Sequence, residues 1–289
     1  MPSLYPIGSM SIKPLIQRVE DRIRDWNLVV ENTLETQSSF IVFGRRGNQP
    51  VVLKVMRQPG DEWRCGEVLS AFNGKSIVQV YEYIEGAVLL ERLNPGTQLA
   101  SIALRGQDDE ATEILTEVIQ RMSYSREALE SFVSVSDWGS GFERYLARGD
   151  NHIPNSLVEL GQHLYAELCA SQQSSSLLHG DLHHYNVLYD YHRGWLAIDP
   201  KGVVGEIEYE IGASLRNPYE NPELFTSPQV VERRIKCYEA KLELDPERLL
   251  GWGFAQAVLS AIWSVEDGFA VDASSPSIML ANAIRPMLE

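Results

Sequence analysis

The sequence lacks the features that mark several large classes of protein. Its three cysteines lie far apart and form neither a Cys-x-x-Cys pair nor a Cys/His cluster, so we expect no disulfide framework and no structural zinc site. The apolar stretch Phe254 to Trp263 is too short to span a bilayer. The N-terminus has no continuous apolar segment of the kind found in signal peptides. These absences predict a cytoplasmic protein with no membrane partner.

Positive charge is also scarce. The chain has 25 lysines and arginines against 40 acidic residues, a net charge of −15. A surface this negative repels phosphate backbones, so we expect no nucleic-acid partner. The acidity could steer a cationic substrate into a cleft, or it could simply aid solubility. The 289 residues contain no low-complexity tract and are enough for two lobes or one large domain. The oligomeric state cannot be read from the sequence.

The first third of the chain differs in pattern from the rest. It contains short β-branched or aromatic runs separated by turn residues, at Leu28–Glu31, Ser39–Gly44, Pro50–Met56, Ile77–Ile84 and Val88–Leu93, with one helical segment at Asp61–Phe72. Downstream, amphipathic helices are predicted at Asp108–Ser123, Ser156–Ser171, Pro228–Leu242 and Pro246–Asp267, around two short β-type runs at Asn186–Tyr189 and Trp195–Ile198. The pattern predicts an α+β, two-lobed fold. Residues 1–93 are expected to form a small antiparallel β lobe with one helix, and residues 94–289 a larger, mainly helical lobe.

The segment His179-Gly180-Asp181-Leu182-His183-His184-Tyr185-Asn186 carries the residues best suited to chemistry. Asp181 and Asn186 bracket a loop before a predicted strand, and Asp199 ends the next strand. In a hairpin these positions lie side by side, which brings three side-chain oxygens toward one point. One carboxylate and one amide oxygen suffice to hold Mg²⁺ beside phosphates, and a second aspartate can take the proton of an acceptor hydroxyl.

This loop resembles the catalytic loop of the aminoglycoside phosphotransferases, whose fold is like that of protein kinases. The stretch from Leu196 through Asp199-Pro200-Lys201-Gly202 to Pro218 is similar to a narrower group, the streptomycin 6-phosphotransferases and hydroxyurea kinases. The segment Gly251-Trp252-Gly253-Phe254 also resembles that group. The resemblance implies a bilobal protein-kinase-like fold and a kinase that uses ATP and Mg²⁺. It makes Asp181 the catalytic base and Asn186 and Asp199 the metal ligands.

The resemblance also implies a nucleotide site in the first lobe. Lys54 matches the strand lysine that holds the α- and β-phosphates, and Glu67 is expected to pair with it, with Glu62 as the alternative. The backbone of the run Leu89–Leu93 is expected to bind adenine, which makes Glu91 and Leu93 cofactor-binding residues. No Gly-x-Gly-x-x-Gly precedes Lys54. We expect Ser38 and Ser39 to contact phosphates in its place.

Further polar residues have a structural as well as a functional interpretation. We expect His179 and Glu210 to brace the catalytic loop, because related kinases have such residues there. The histidines of this region could suggest zinc, but a phosphotransfer loop fits them better. Lys201 could contact phosphate or form a salt bridge. Glu266 and Asp267 could line a pocket for a cationic substrate, or they could simply end a surface helix.

Together these features predict a kinase that transfers the γ-phosphate of ATP to a hydroxyl of a small molecule. The narrower resemblance points to an aminoglycoside such as streptomycin, and hence to antibiotic resistance. A kinase of a sugar, an amino alcohol or hydroxyurea is the first alternative. A non-catalytic nucleotide-binding module is the second, although Lys54, Asp181, Asn186 and Asp199 are all present.

Overall fold

A computed structural model describes residues 13–72, 75–122, 129–149 and 151–288. The first 12 residues, on which the expectation of no signal peptide depends, lie outside these ranges. Among the described helices, none combines the length and the apolar character needed to cross a membrane.

Secondary structure covers most of the described chain. The strands are β1 Val29–Glu35, β2 Ser39–Arg46, β3 Gln49–Met56, β4 Val80–Ile84, β5 Ala87–Glu91, β6 Pro95–Gln98, β7 Val133–Ser134, β8 Ser176–Leu178, β9 Val187–Asp190, β10 Gly194–Ala197 and β11 Val203–Gly205. The helices are α1 Leu15–Asp25, α2 Cys65–Ala71, α3 Ala100–Ala103, α4 Asp108–Arg121, α5 Val135–Arg148, α6 Asn155–Ala170, α7 Gly212–Leu215, α8 Glu223–Thr226, α9 Pro228–Leu242, α10 Pro246–Glu266 and α11 Pro276–Ile284. Short 3₁₀ turns occur at Asp61–Arg64, Leu129–Ser131, Ile207–Ile211 and Arg285–Met287.

The chain divides into two compact units, and each unit consists of two separate segments of the chain. The first unit runs to Thr97 and also includes Leu188–Lys201, while the second consists of Gln98–Val187 and the residues from Gly202 onward. The sequence suggested one boundary at residue 93. It did not indicate that the β9–β10 hairpin returns to the first unit.

An antiparallel five-stranded sheet forms the body of the first unit. Its strand order is β1-β2-β3-β5-β4, and every neighbouring pair is antiparallel. Apolar residues of β2, β3 and β5 form a core cluster together with Val19 of α1 and Leu28, which precedes β1; its sheet residues are Val42, Val51, Leu53, Val55, Ala87 and Leu89. Burying this cluster stabilises the sheet by about 25 cal/mol for each Å² removed from water. The sheet supplies a rigid frame for Lys54, the sixth residue of β3.

Helix α1 was not among the predicted elements of this unit, which was expected to contain one helix. The apolar residues Leu15, Val19 and Ile23 recur four residues apart, a helical spacing, and all three belong to or pack against the core cluster. Arg18 secures the helix by donating to the carbonyls of Met56, at 2.7 Å, and Arg57, at 2.8 Å. The first unit therefore contains α1 as well as the predicted α2.

The second unit is built around α10. Its start follows from the sequence: Pro246 occupies the first turn, and the Asp245 carboxylate accepts from the amides of Glu247, at 2.9 Å, and Arg248, at 3.4 Å. Helices α6, α7 and α11 pack against α10. Nearly all of its middle residues are buried, which is expected of a helix that is apolar on every side. Gly161 of α6 allows close packing, because a Cβ there would lie 3.1 Å from Cβ of Val258.

A small sheet in the same unit positions the predicted catalytic loop. Strand β11 lies between β7 and β8, parallel to β7 and antiparallel to β8. Strand β8 ends at Leu178, directly before His179, and both residues are fully buried. The loop therefore starts from a fixed point in the core of the second unit.

Candidate active site

The predicted base Asp181 lies on a loop whose backbone is held by hydrogen bonds to His179. The Asp181 amide donates to Nδ1 of His179 at 3.3 Å, and the Gly202 amide donates to the carbonyl of His179 at 3.2 Å. The side chain of Asp181 is 26% exposed, so its carboxylate can be reached from solvent. His179 is fully buried, and its position agrees with the prediction that it braces the loop.

The buried carboxylate of Glu210 accepts hydrogen bonds from two backbone amides of the same loop. Its Oε2 accepts from the His179 amide at 2.7 Å, and its Oε1 accepts from the Gly180 amide at 3.0 Å. Burial raises the pKa of Glu210 to about 7, although these two amides oppose the rise. The contacts agree with the bracing role predicted for this residue.

Asn186 closes the loop at its other end. Its Nδ2 donates to the Asp181 carbonyl at 3.0 Å. A side-chain amide has one oxygen and one nitrogen, so this bond commits the nitrogen and leaves Oδ1 as the remaining group for a ligand. Oxygen ligands are those that Mg²⁺ prefers.

Two further side chains lie beside the Asp181 carboxylate, and the sequence assigned neither a role. Nη2 of Arg216 is 3.6 Å from Oδ1, and Nε2 of His183 is 3.7 Å from Oδ2. Arg216 belongs to the run Leu215-Arg216-Asn217-Pro218, which contributed to the family resemblance. That run was the only sequence signal for it.

The first unit contains a cluster of alternating charges around Lys54. The Lys54 side chain is 4% exposed, and its Nζ lies 2.7 Å from Oε2 of Glu62 and 2.8 Å from Oδ1 of Asp199. Burial alone would lower the pKa of Lys54, but the carboxylates of Asp199 and Glu62 outweigh burial and raise it. Lys54 is therefore held as a cation.

Glu62, and not Glu67, is the partner of Lys54, so the prediction in favour of Glu67 is wrong. Glu67 instead accepts from Nε of Arg64 at 2.9 Å, three residues earlier on the same helical segment. The 3₁₀ turn that precedes α2 carries Glu62 toward β3. Spacing along the sequence could not reveal this change of helical register.

Lys201 makes the salt bridge that was one of its two interpretations. Its Nζ lies 2.5 Å from Oε1 of Glu62, so Glu62 has a lysine on each oxygen. Burial would raise the pKa of Glu62, but Lys201 and Lys54 hold it well below its usual range. The order of charges is Asp199, Lys54, Glu62, Lys201.

Asp199 has an unusual backbone as well as an ion pair. Its φ is +59°, in the left-handed region that few residues other than glycine adopt. Such conformations cost of order 1–3 kcal/mol and cluster at functional sites. With Lys54 at Oδ1, the second oxygen, Oδ2, remains for a ligand. Oδ2 of Asp199, like Oδ1 of Asn186, is an oxygen donor of the kind that Mg²⁺ prefers.

The two serines predicted to contact phosphates, Ser38 and Ser39, lie where the turn between β1 and β2 ends. Ser39 is 1% exposed, and its amide donates to Oγ1 of Thr36 at 2.9 Å. Its hydroxyl lies 2.9 Å from that same atom. The polar groups of Ser39 thus serve the turn itself, and the structure does not support a phosphate contact by this residue. The contact by Ser38 stays a prediction.

The segment expected to bind adenine follows β5. The Glu91 amide donates to the carbonyl of Gln79 at 2.9 Å, and its carboxylate pairs with Arg193 of the β9–β10 hairpin. The backbone contacts of Glu91 and Leu93 with adenine stay predictions.

Glu266 does not offer the free negative charge expected of a cationic substrate pocket. Its side chain is 3% exposed, and its Oε1 lies 3.2 Å from Nε of Arg144 and 3.7 Å from Nη2 of Arg148. Two arginines already pair with this carboxylate, so the geometry counts against binding of a cationic substrate there. Asp267 is exposed at the end of α10, and its role stays a prediction.

Sequence comparison finds one matching protein family and several related proteins. The model of one protein family, aminoglycoside/hydroxyurea antibiotic resistance kinase, matches residues 26–268. The chain is 36% identical over 268 residues to the streptomycin 3''-kinase of Klebsiella pneumoniae, covering 91% of this chain and 98% of that protein. It is 27% identical over 279 residues to the streptomycin 6-kinase of Streptomyces griseus, covering 93% and 88%.

Solved structures confirm the predicted fold class. A thermostable mutant of the aminoglycoside phosphotransferase APH(4)-Ia, in a ternary complex with ADP and hygromycin B, superposes with a TM-score of 0.64. The identity is 16%, and the match covers 92% of this chain and 97% of that chain. At this identity the likeness speaks for the fold alone.

Proposed function

Because the chain belongs to the aminoglycoside/hydroxyurea antibiotic resistance kinase family, we propose that it transfers the γ-phosphate of ATP to a hydroxyl of streptomycin. The observation that carries the proposal is the loop around Asp181. It presents one partly exposed carboxylate on a backbone bonded to His179, Asn186 and Glu210. Phosphoryl transfer needs such fixed positioning more than covalent chemistry.

Asp181 is the proposed base. Its carboxylate accepts the hydrogen bond of the substrate hydroxyl, orients the oxygen toward the γ-phosphorus and takes the proton as the new P–O bond forms. The attack is direct and in line, so no phosphoenzyme forms. ADP leaves, and the proton passes from Asp181 to solvent.

Lys54 is the proposed ligand of the α- and β-phosphates. It is a buried cation already oriented by Glu62 and Asp199, so little side-chain freedom is lost when nucleotide binds. Glu62 keeps Lys54 in place and is itself held by Lys201.

Asn186 and Asp199 are the proposed ligands of Mg²⁺, through Oδ1 and Oδ2. Bound Mg²⁺ would offset the negative charge of the phosphates during transfer. The backbone of the segment that contains Glu91 and Leu93 would bind adenine, and Ser38 would contact the phosphates. Because ATP is a cytoplasmic metabolite, the cytoplasm is the proposed location.

Within this proposal the 3'' hydroxyl of streptomycin is the acceptor. The support is the higher identity to the streptomycin 3''-kinase, 36%, than to the 6-kinase, 27%. The negative charge of the chain, −15, would favour the approach of a guanidinium-bearing substrate.

A coupled ADP-release assay tests the proposal. The acceptors are streptomycin, other aminoglycosides, hydroxyurea and a panel of sugars and amino alcohols, and NMR of the product locates the phosphate. We expect release with streptomycin, and Asp181→Asn should lower kcat by at least about 100-fold because the base is lost. ATP affinity, measured by calorimetry, should stay near that of the wild type.

Stimulation by hydroxyurea or a metabolite alone would transfer the proposal to that acceptor. Undiminished turnover by Asp181→Asn would remove Asp181 as the base. Phosphate on the 6 position would exclude the 3'' assignment.

A further inference from the structure

Arg216 lies next to the proposed base and plays no part in the mechanism above. Its side chain is 15% exposed, and its Nη2 is 3.6 Å from Oδ1 of Asp181. That distance is short enough for a strong charge interaction and too long for a normal hydrogen bond. The lone pairs of the carboxylate therefore stay available to a substrate hydroxyl.

The backbone fixes the guanidinium of Arg216. Its Nη1 donates to the Gly212 carbonyl at 3.0 Å, and because the guanidinium is planar and rigid, this bond also sets the position of Nη2. Gly212 is itself confined: a Cβ there would lie 2.3 Å from Oε1 of Gln256, a buried side chain of α10. The core of the second unit thus determines where the positive charge stands.

The other oxygen of Asp181 faces a second nitrogen. Nε2 of His183 is 3.7 Å from Oδ2, and Nδ1 of His183 accepts from the Tyr185 amide at 3.2 Å. With Nδ1 as an acceptor, a neutral ring carries its proton on Nε2, which also lies 3.4 Å from Nδ2 of Asn186. The carboxylate therefore has one side-chain nitrogen near each oxygen, Arg216 at Oδ1 and His183 at Oδ2.

The Asp181 carboxylate needs a nearby positive charge, because a second carboxyl group lies close to it. The buried carboxyl of Glu210 lies beneath the same loop, and Asp181 and Glu210 repel each other when both are ionised. A fixed cation on one oxygen offsets the repulsion and selects one orientation of the carboxylate.

We propose that Arg216 is a positioning residue that holds the Asp181 carboxylate in the orientation needed to accept the substrate proton. It acts through Asp181 and does not itself contact the phosphates. The inference goes beyond the proposed function in naming a residue, and it rests on that function only for an acceptor with which to measure turnover.

A double-mutant cycle tests the proposal. The proteins are the wild type, Arg216→Met, Asp181→Asn and the double variant, assayed with radiolabelled ATP so that slow turnover can be measured. Arg216→Met should lower kcat on the order of 100-fold, the effect of a misplaced catalytic group, with little change in the KM for ATP. In the Asp181→Asn background no carboxylate remains to be positioned, so the same substitution should have almost no further effect.

Arg248→Met is the matched control. Arg248 is also a partly buried arginine of the second unit, 21% exposed, but its carboxylate partner is Glu206. Its loss should lower the free energy of unfolding and leave kcat near that of the wild type. Arg216→Lys keeps the charge and should recover part of the activity, and it replaces Arg216→Met in the cycle if the methionine variant does not fold.

Three results would overturn the inference. Arg216→Met could retain nearly full kcat, or it could lower the Asp181→Asn enzyme by the same factor as the wild type, which would mean that Arg216 acts independently of Asp181. A crystal structure of Arg216→Met with an unmoved Asp181 carboxylate would do the same without any acceptor. Absence of turnover by the wild type with streptomycin counts against the proposed substrate alone, because any active acceptor of the panel serves for the cycle.

Discussion

Replacement of Glu62 by glutamine should impair both nucleotide binding and stability, whereas the same change at Glu67 should have only a small effect on either. Glu62 has Lys54 at 2.7 Å on one oxygen and Lys201 at 2.5 Å on the other. Glutamine preserves the size of the side chain and removes its charge. Lys54 would then have only Asp199 as a partner and would turn away from the phosphates.

The magnitude follows from burial. Loss of one partner of a fully buried ion pair costs about 3–5 kcal/mol. The Glu62 side chain is 18% exposed and that of Lys201 22%, and Lys54 keeps Asp199, so we expect a smaller loss of about 2–3 kcal/mol. The Glu67–Arg64 pair is 33% and 26% exposed and should be worth no more than about 1 kcal/mol.

The assay combines urea denaturation with the KM for ATP. Glu62→Gln should raise that KM about 10-fold or more, the usual effect of losing a hydrogen bond to a charged group, while Glu67→Gln stays within about twofold of the wild type. If Glu67→Gln matched or exceeded Glu62→Gln in both measurements, the observed pairing of Lys54 would be refuted as the functional one.

Two further predictions concern the metal and pH. Asp199→Asn should raise the Mg²⁺ concentration needed for half-maximal turnover at least about 10-fold, because a carboxylate ligand is lost; a magnesium titration of kcat with unchanged dependence would contradict this. The pKa of Glu210 is about 7, above its ordinary value of 4.5, so its contribution to stability is fully present below pH 4.5 and is lost as the pH rises through about 7. Glu210→Gln mimics the protonated group. The wild type should therefore lose up to about 3 kcal/mol relative to this variant over that range, and parallel unfolding curves from pH 4.5 to 8 would rule it out.

Much of the secondary structure follows from local sequence. Helix α9 has the predicted bounds, Pro228–Leu242, and α10 begins at the predicted Pro246, because a proline in the first turn and an aspartate cap are local signals. The strands of the five-stranded sheet agree with the prediction to within a few residues, since β-branched runs between turn residues mark them. Helix α1 was not predicted, although its apolar residues Leu15, Val19 and Ile23 are spaced four apart.

The proposed catalytic loop could also be predicted from the sequence, because its residues lie within eight positions. Asp181, Asn186 and His179 interact through bonds between near neighbours, and such contacts depend little on the rest of the fold. The family resemblance carried by this loop is confirmed by the family match over residues 26–268.

What only the tertiary structure decided is which distant side chains face each other. Glu62 rather than Glu67 meets Lys54 because a 3₁₀ turn changes the register before α2. Glu266 is neutralised by Arg144, more than a hundred residues away in sequence. Arg216 reaches Asp181 because α7 is held against α10. Local propensity determines where helices and strands form, but long-range charge pairing depends on packing between elements, and no periodicity in the sequence records it.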